Sequence, residues 1–239
     1  MARINELGQP IGDPIADWTP RPIPPRRILE GRLSRLEPLD AERHADALFE
    51  QYAEDSEGRN WTYLPYGPFD SAREYTEFAR WAAGLDDTHF YAIVDRASDT
   101  PMGVASYLRI DPAMGSIEVG HLAYAPALQR TPTSTEAMYL MMRNVFADLG
   151  YRRYEWKCDA LNAPSVAAAR RLGFRFEGIF RQAVVTKGRN RDTAWLSILD
   201  GEWPDIARAL ERWLAPQNFD DAGRQRTPLS EWMPVRSPD

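Results

Sequence analysis

The feature that most constrains this chain is a run of three strand-like segments with almost nothing between them. "HFYAIVD" (89–95), "MGVASYLRI" (102–110) and "GSIEVGHLAY" (115–124) are joined only by "RASDTP" and "DPAMG". Polar connections this short can do little but reverse the chain, so the three segments predict an antiparallel meander. A sheet needs its faces covered, and the flanking sequence supplies the cover. Ahead of the meander, "LSRLEPL" suits an edge strand. "DAERHADALFEQYAED" and "SAREYTEFARWAAG" read as helices, the first capped by Asp40, the second running from Ser71, with Glu74 three places on, to a stop at Gly84.

Behind the meander, Met138, Met141, Met142, Val145 and Leu149 mark one helical face that ends at Gly150. "RRYEWKCDA" then reads as a strand and "APSVAAARRLG" as a helix. "RFEGIFRQAVVTKG" and "DTAWLSIL" form a last strand pair around the turn "KGRNRD", and "DIARALERWLA" adds a helix. A meander joined to strand–helix units implies one α/β domain, a mixed and mostly antiparallel twisted sheet with helices on both faces. The expected boundaries are a proline-rich N-terminal arm over 1–28, the α/β domain over 29–203, and a C-terminal helix and tail over 204–239. Six prolines between Pro10 and Pro25 make the arm extended. Phe219, Leu229 and Trp232 are the residues able to pin the tail.

Several classes are disfavoured by composition. A formal charge of -6 without a long basic run argues against nucleic acid as the main ligand. No apolar run approaches the roughly 20 residues of a membrane-spanning helix, and the N-terminus lacks the order of a signal peptide, so a cytoplasmic location is expected. Cys158 is the single cysteine and is expected buried on its strand. His44, His89 and His121 lie far apart, and no metal is expected.

The stretch "LQRTPTSTEAMYLMM" (128–142) turns from loop into helix. Thr131 can cap with Pro132 at the first helical position, or Thr133 can cap with Glu136 closing a capping box. In either case free amides and the positive end of the helix dipole face the loop, beside Gln129, Arg130 and several hydroxyls. Such a place suits an anion, here a pyrophosphate.

Two segments resemble the GNAT acyltransferases, and within them the ribosomal-protein N-terminal acetyltransferase branch, over roughly Leu33 to Trp203. The first is this turn, similar to the family's Q/R-x-x-G-x-G/A, with Gln129 matching, Pro132 in place of the first glycine and Ser134 in place of the small residue. The second is "NAPSVAAARRLGF" (162–174) followed by "FEGIFRQ", which looks like the family's N-x-x-S/A-(7)-G-F and EG-x-x-R. The resemblance implies a sheet splayed near its middle with acetyl-CoA at the split, and acetyl transfer to an amine by direct attack in a ternary complex. It places the coenzyme on Leu122, Tyr124, Gln129, Arg130, Thr131, Thr133, Ser134, Thr135, Asn162 and Ser165. Many relatives carry a tyrosine acid seven residues after the asparagine; here that position is Ala169, and Ser165 is the implied substitute donor to the sulfur.

Glu118 and His121 are the candidate proton acceptors. Alternation puts Glu118 opposite Ile117 and Val119, and His121 on the other side unless a bulge intervenes. The aromatic loop "GRNWTYLPYGPF" offers Trp61, Tyr63 and Tyr66 as one acceptor wall. The second wall is the "KGRNRD" turn, whose Lys187, Arg189 and Arg191 favour an acidic feature on the acceptor. A CoA-sensing module without turnover, a scaffold assembling through its arms, and a larger donor such as succinyl-CoA are the alternatives. The acceptor is open among a protein N-terminus, an amino acid, a polyamine and an antibiotic, and a homodimer is compatible with the sequence.

Overall fold

The computed structural model describes residues 3–234; the ends of both arms, residues 1–2 and 235–239, lie outside the described residues. In chain order the elements are strands β1 (Arg3–Ile4), β2 (Pro10–Ile11), β3 (Leu29–Glu30) and β4 (Ser34–Pro38), then helices α1 (Ala41–Tyr52) and α2 (Ala72–Ala83). The meander is β5 (His89–Asp95), β6 (Thr100–Asp111) and β7 (Ser116–Tyr124), followed by α3 (Pro132–Arg143) and β8 (Arg153–Asp159). The chain continues with α4 (Ala163–Arg171), β9 (Arg175–Thr186), β10 (Arg189–Leu199) and α5 (Trp203–Leu214).

Eight strands form one sheet in the order β3-β4-β5-β6-β7-β8-β10-β9. Every neighbouring pair is antiparallel except β7 and β8, which run parallel. That single parallel pair arises because α3 carries the chain across the sheet between them. The expected edge strand, β4, is not at the edge: Leu29 and Glu30 pair with Leu36 and Arg35 and cover it. The expected "KGRNRD" turn is also tighter than it reads, since Arg189 to Asp192 already belong to β10 and only Lys187 and Gly188 reverse the chain.

Helices cover both faces. Against one face α3, α4 and α5 bury Met138, Met141, Ala169, Leu172, Ile206 and Leu210 over Ile117, Val119, Trp156 and Leu196. Against the other, α1 and α2 bury Leu48, Tyr75 and Ala79 over Phe90, Ala92 and Val104. The caps follow from the sequence: Asp40 accepts from the amides of Glu42 and Arg43, and Ser71 from that of Glu74. α3 runs on into a π-helical turn over Asn144–Asp148.

The arms are tied to this body by single strong contacts. Trp18 donates from Nε1 to the Ala113 carbonyl and lies under the Arg21 guanidinium, 4.5 Å from its ring centroid. Tyr151 and Tyr91 donate to the carbonyls of Pro22 and Pro25. In the tail Leu229 is buried and Phe219 packs edge-on against Trp213.

Candidate active site

β7 and β8 pair only from Ser116–Val119 against Arg153–Trp156. Both strands then continue, β7 to Tyr124 along β6 and β8 to Asp159 along β10, without pairing to each other, so the sheet opens into a notch along Gly120–Tyr124. A bulge produces the divergence: between the pairs Ser106–Gly120 and Val104–Ala123, β7 has one residue more than β6. His121 takes up the excess with a left-handed backbone, φ 52°. The bulge turns His121 onto the same face as Glu118, where its ring stacks on Tyr66 at 5.6 Å and lies 4.9 Å from that of Phe90. Simple alternation had put it on the opposite side.

At one end of the notch α3 begins. Thr131 is its cap, accepting from the Ser134 amide, with Pro132 at the first helical position. Glu136 closes no capping box; it is buried and accepts from the amides of Arg32, Leu33 and Ser34, locking α3 to the β3–β4 turn. Among the described residues the amides of Arg130, Thr131 and Thr133 donate to nothing in the protein. Two cations border them: exposed Arg130, with φ 61°, and Arg171, whose Nη1 lies 3.2 Å from Thr135 Oγ1. Arg171 is held over Trp213 at 4.8 Å and is a residue the sequence pattern gave no reason to single out. Gln129 points the other way, donating to Asn60 and to the Tyr124 carbonyl, so it orders the turn. Thr133 donates to Asp95, and the hydroxyls of Ser134 and Thr135 return to the Thr131 carbonyl. These open amides, helix dipole and flanking guanidinium groups fit a pyrophosphate.

The other arm of the notch ends at α4. Asn162 caps it, accepting from the Ser165 amide. Ser165 Oγ accepts from Trp156 Nε1 at 3.0 Å and has the Cys158 sulfur as a neighbour to which its own hydrogen can donate. Burial pushes the thiol of neighbouring Cys158 up, so it stays protonated. Ala169 is fully buried in the first core and does not face the notch.

Across the sheet floor runs a ladder of ion pairs. Arg109 reaches Glu118 at 2.7 Å, Lys157 bridges Glu118 at 2.9 Å and Glu155 at 2.8 Å, and Arg153 joins Glu155 to Glu177. Burial pushes the Glu118 carboxyl up, against the pull of Lys157 and Arg109. Glu118 Oε1 accepts from Arg109, and Oε2 has the Lys157 charge 2.9 Å away but no hydrogen bond, whereas among the described residues the His121 ring's hydrogen-bond partner is Tyr66 Oη, 3.2 Å from Nδ1. Burial first, then the charges of Arg109 and Arg191, hold His121 down to about 4, so it is neutral near pH 7.

The aromatic loop lies over this floor. Trp61, expected on the acceptor wall, stands behind it: it is buried among Tyr52, Tyr66 and Phe69. Tyr66 and Tyr63 remain at the front, and Tyr63 donates to the Leu161 carbonyl ahead of α4. Lys187 donates to the carbonyls of Trp61 and Gly67, and Arg189 to that of Thr62. These two cations, expected to greet an acidic acceptor, instead clamp the loop to the β9–β10 turn; Arg191 makes no such clamp, and its charge is among those that lower His121.

Beside this parted strand pair and the open amides at the start of α3, the model of the acetyltransferase (GNAT) domain matches residues 34–175. The chain belongs to the GNAT acetyltransferase family. It is an acyl-CoA-dependent N-acyltransferase, and the family uses acetyl-CoA as co-substrate. A GCN5-related N-acetyltransferase from Brucella melitensis is 49% identical, with a TM-score of 0.90 over 92% of this chain and 99% of that one. A probable GNAT acetyltransferase from Chromobacterium violaceum is 43% identical, with a TM-score of 0.76 over 82% of this chain and 98% of that one. An acetyl transferase from Salmonella typhimurium that modifies the N-terminal serine of a 50S ribosomal subunit protein shares the fold at 21% identity, with a TM-score of 0.62 over 72% and 99% of the chains. Among the described residues no helix is long and apolar enough to cross a membrane, and no group of three or more metal-ligating side chains gathers.

Proposed function

We propose that this GNAT enzyme transfers the acetyl group of acetyl-CoA to an amine by direct attack within a ternary complex. One observation carries the reading: the segment Gly120–Tyr124, paired to β6 but not to β8, leads through a short turn to the free amides of Arg130, Thr131 and Thr133. The pyrophosphate sits on those amides, with Arg171 replacing the donor that Pro132 lacks. The pantetheine arm lies along Leu122 to Tyr124, pairing as a strand would, and Asn162 and Ser165 flank its thiol end.

The neutral amine forms the new C–N bond at the thioester carbonyl, the C–S bond breaks, and the sulfur leaves as thiolate, to which Ser165 Oγ donates a hydrogen bond while its proton comes from water. A thiol with a reference pKa of about 8.5 needs no strong acid, which makes Ala169 tolerable. The ammonium proton goes to His121, directly or through a water, because its imidazole is neutral. Glu118, fixed between Arg109 and Lys157, keeps the floor electrically balanced.

Calorimetry with acetyl-CoA, followed by a thiol-release assay over a panel of amines, tests this. Binding near micromolar with amine-dependent release is expected. No heat at millimolar acetyl-CoA refutes the notch as the coenzyme site, and binding without release under any amine leaves a sensing module.

A further inference from the structure

β10 presents an anomaly on the floor of the acceptor side. Arg191 Nε, Thr193 Oγ1 and Trp195 Nε1 are all buried without a hydrogen-bond partner among the described residues. They stand at i, i+2 and i+4 of one strand and so share a face, while Ala194 between them and Leu196 after them belong to the opposite core. Two of the three are obligate donors and the third can donate. A buried donor left unpaired costs about 1–3 kcal/mol, so a row of them calls for an acceptor-rich partner.

No described side chain hydrogen-bonds to these three atoms. Glu155 is held by Lys157 and Arg153, Asp192 accepts from the Gln182 amide and Asn190, and Glu118, whose Oε2 also lacks a hydrogen bond, is drawn to Lys157 and Arg109 instead of to the row. Arg191 makes no ion pair or hydrogen bond with any described residue, unlike Lys187 and Arg189 beside it. The row is also rigid. Trp195 is stacked on Phe180 at 4.3 Å on one side and lies under Lys157 Nζ at 3.7 Å on the other. Lys157 in turn touches Glu118, which fixes the row on the same face as His121 and within two strands of it.

We propose that Arg191, Thr193 and Trp195 receive a carboxylate carried by the acceptor itself, so that the enzyme's substrates are amino acids or short peptides rather than simple amines. This rests on acetyl transfer occurring at the notch. The guanidinium supplies the charge, and the indole N–H and the hydroxyl fix the second oxygen.

The test measures thiol release with free amino acids and dipeptides, each beside its C-terminal carboxamide, and with alkylamines. Accepted carboxylates should lose roughly ten- to hundredfold in kcat/KM on amidation, the range of a charge-assisted hydrogen bond. Arg191→Gln should abolish most of that ratio with KM for acetyl-CoA unchanged. Trp195→Phe, which keeps the stacked ring and removes only the N–H, should lower turnover of the carboxylates and not of their amides. Equal rates for acids and amides, an undiminished ratio in Arg191→Gln, or turnover confined to alkylamines would overturn the proposal while leaving acetyl transfer intact. Absence of acetyl-CoA binding by calorimetry would instead remove the reading beneath it.

Discussion

His121 couples stability to pH in a direction that can be worked out. Its folded value is about 4 against 6.5 for a free imidazole, so the native state binds fewer protons there than the unfolded chain. Stability from this group is complete above the unfolded value and drains as pH falls through the window from 6.5 towards 4. Between pH 7.5 and 5.5 the unfolded imidazole becomes mostly protonated while the native one does not, a change of about 1.3 kcal/mol at about 1.36 kcal/mol per unit. Urea denaturation at the two pH values, run on the wild type and on His121→Asn, isolates that quantity, because His44 and His89, whose values burial also lowers, are common to both proteins. The wild type should lose about 1.3 kcal/mol more than the variant on going to the lower pH. Glu118, held up by burial, acts with the opposite sign and cancels in the same comparison. An identical pH response in the two proteins would refute a buried neutral imidazole at the bulge, and with it the proton acceptor. The acid limb of kcat/KM, expected near 4 rather than 6.5, checks the same group during catalysis.

Three further outcomes are expected. Arg171→Met should weaken coenzyme A binding by calorimetry roughly tenfold, with the gap narrowing at high salt, since a guanidinium beside the helix start is partly screened. Glu136→Gln should cost roughly 3 kcal/mol in urea denaturation, because the amides of Arg32, Leu33 and Ser34 lose a buried carboxylate. Lys187→Met frees the loop carbonyls of Trp61 and Gly67 and should raise the acceptor KM roughly three- to tenfold while that of acetyl-CoA stays put.

Much of this protein is decided by relations within a few residues of chain. The caps at Asp40, Ser71 and Thr131, the methionine face of α3 and the turns of the meander all follow from local spacing. The open amides at the start of α3 are legible for the same reason, as a helix must leave its first amides unpaired wherever it begins. Local rules failed where a long-range contact competes with them. Glu136 has the spacing of a capping box, but three amides of the β3–β4 turn offer its carboxylate more than one helix amide can. Reading Arg191 as part of a turn hid its period-two row with Thr193 and Trp195, which shows only once β10 is known to start at Arg189.

What the sequence alone determined is therefore the set of elements and the family signature. Tertiary structure decided which charges meet. Lys157 meets its strand neighbour Glu155 by alternation alone, but it meets Glu118 because strand order places β8 beside β7, and His121 joins their face because a bulge of one residue against β6 reverses its side. Pairing between strands is a property of the closed sheet: its energy comes from partners distant in the chain, so no window of neighbouring residues contains it.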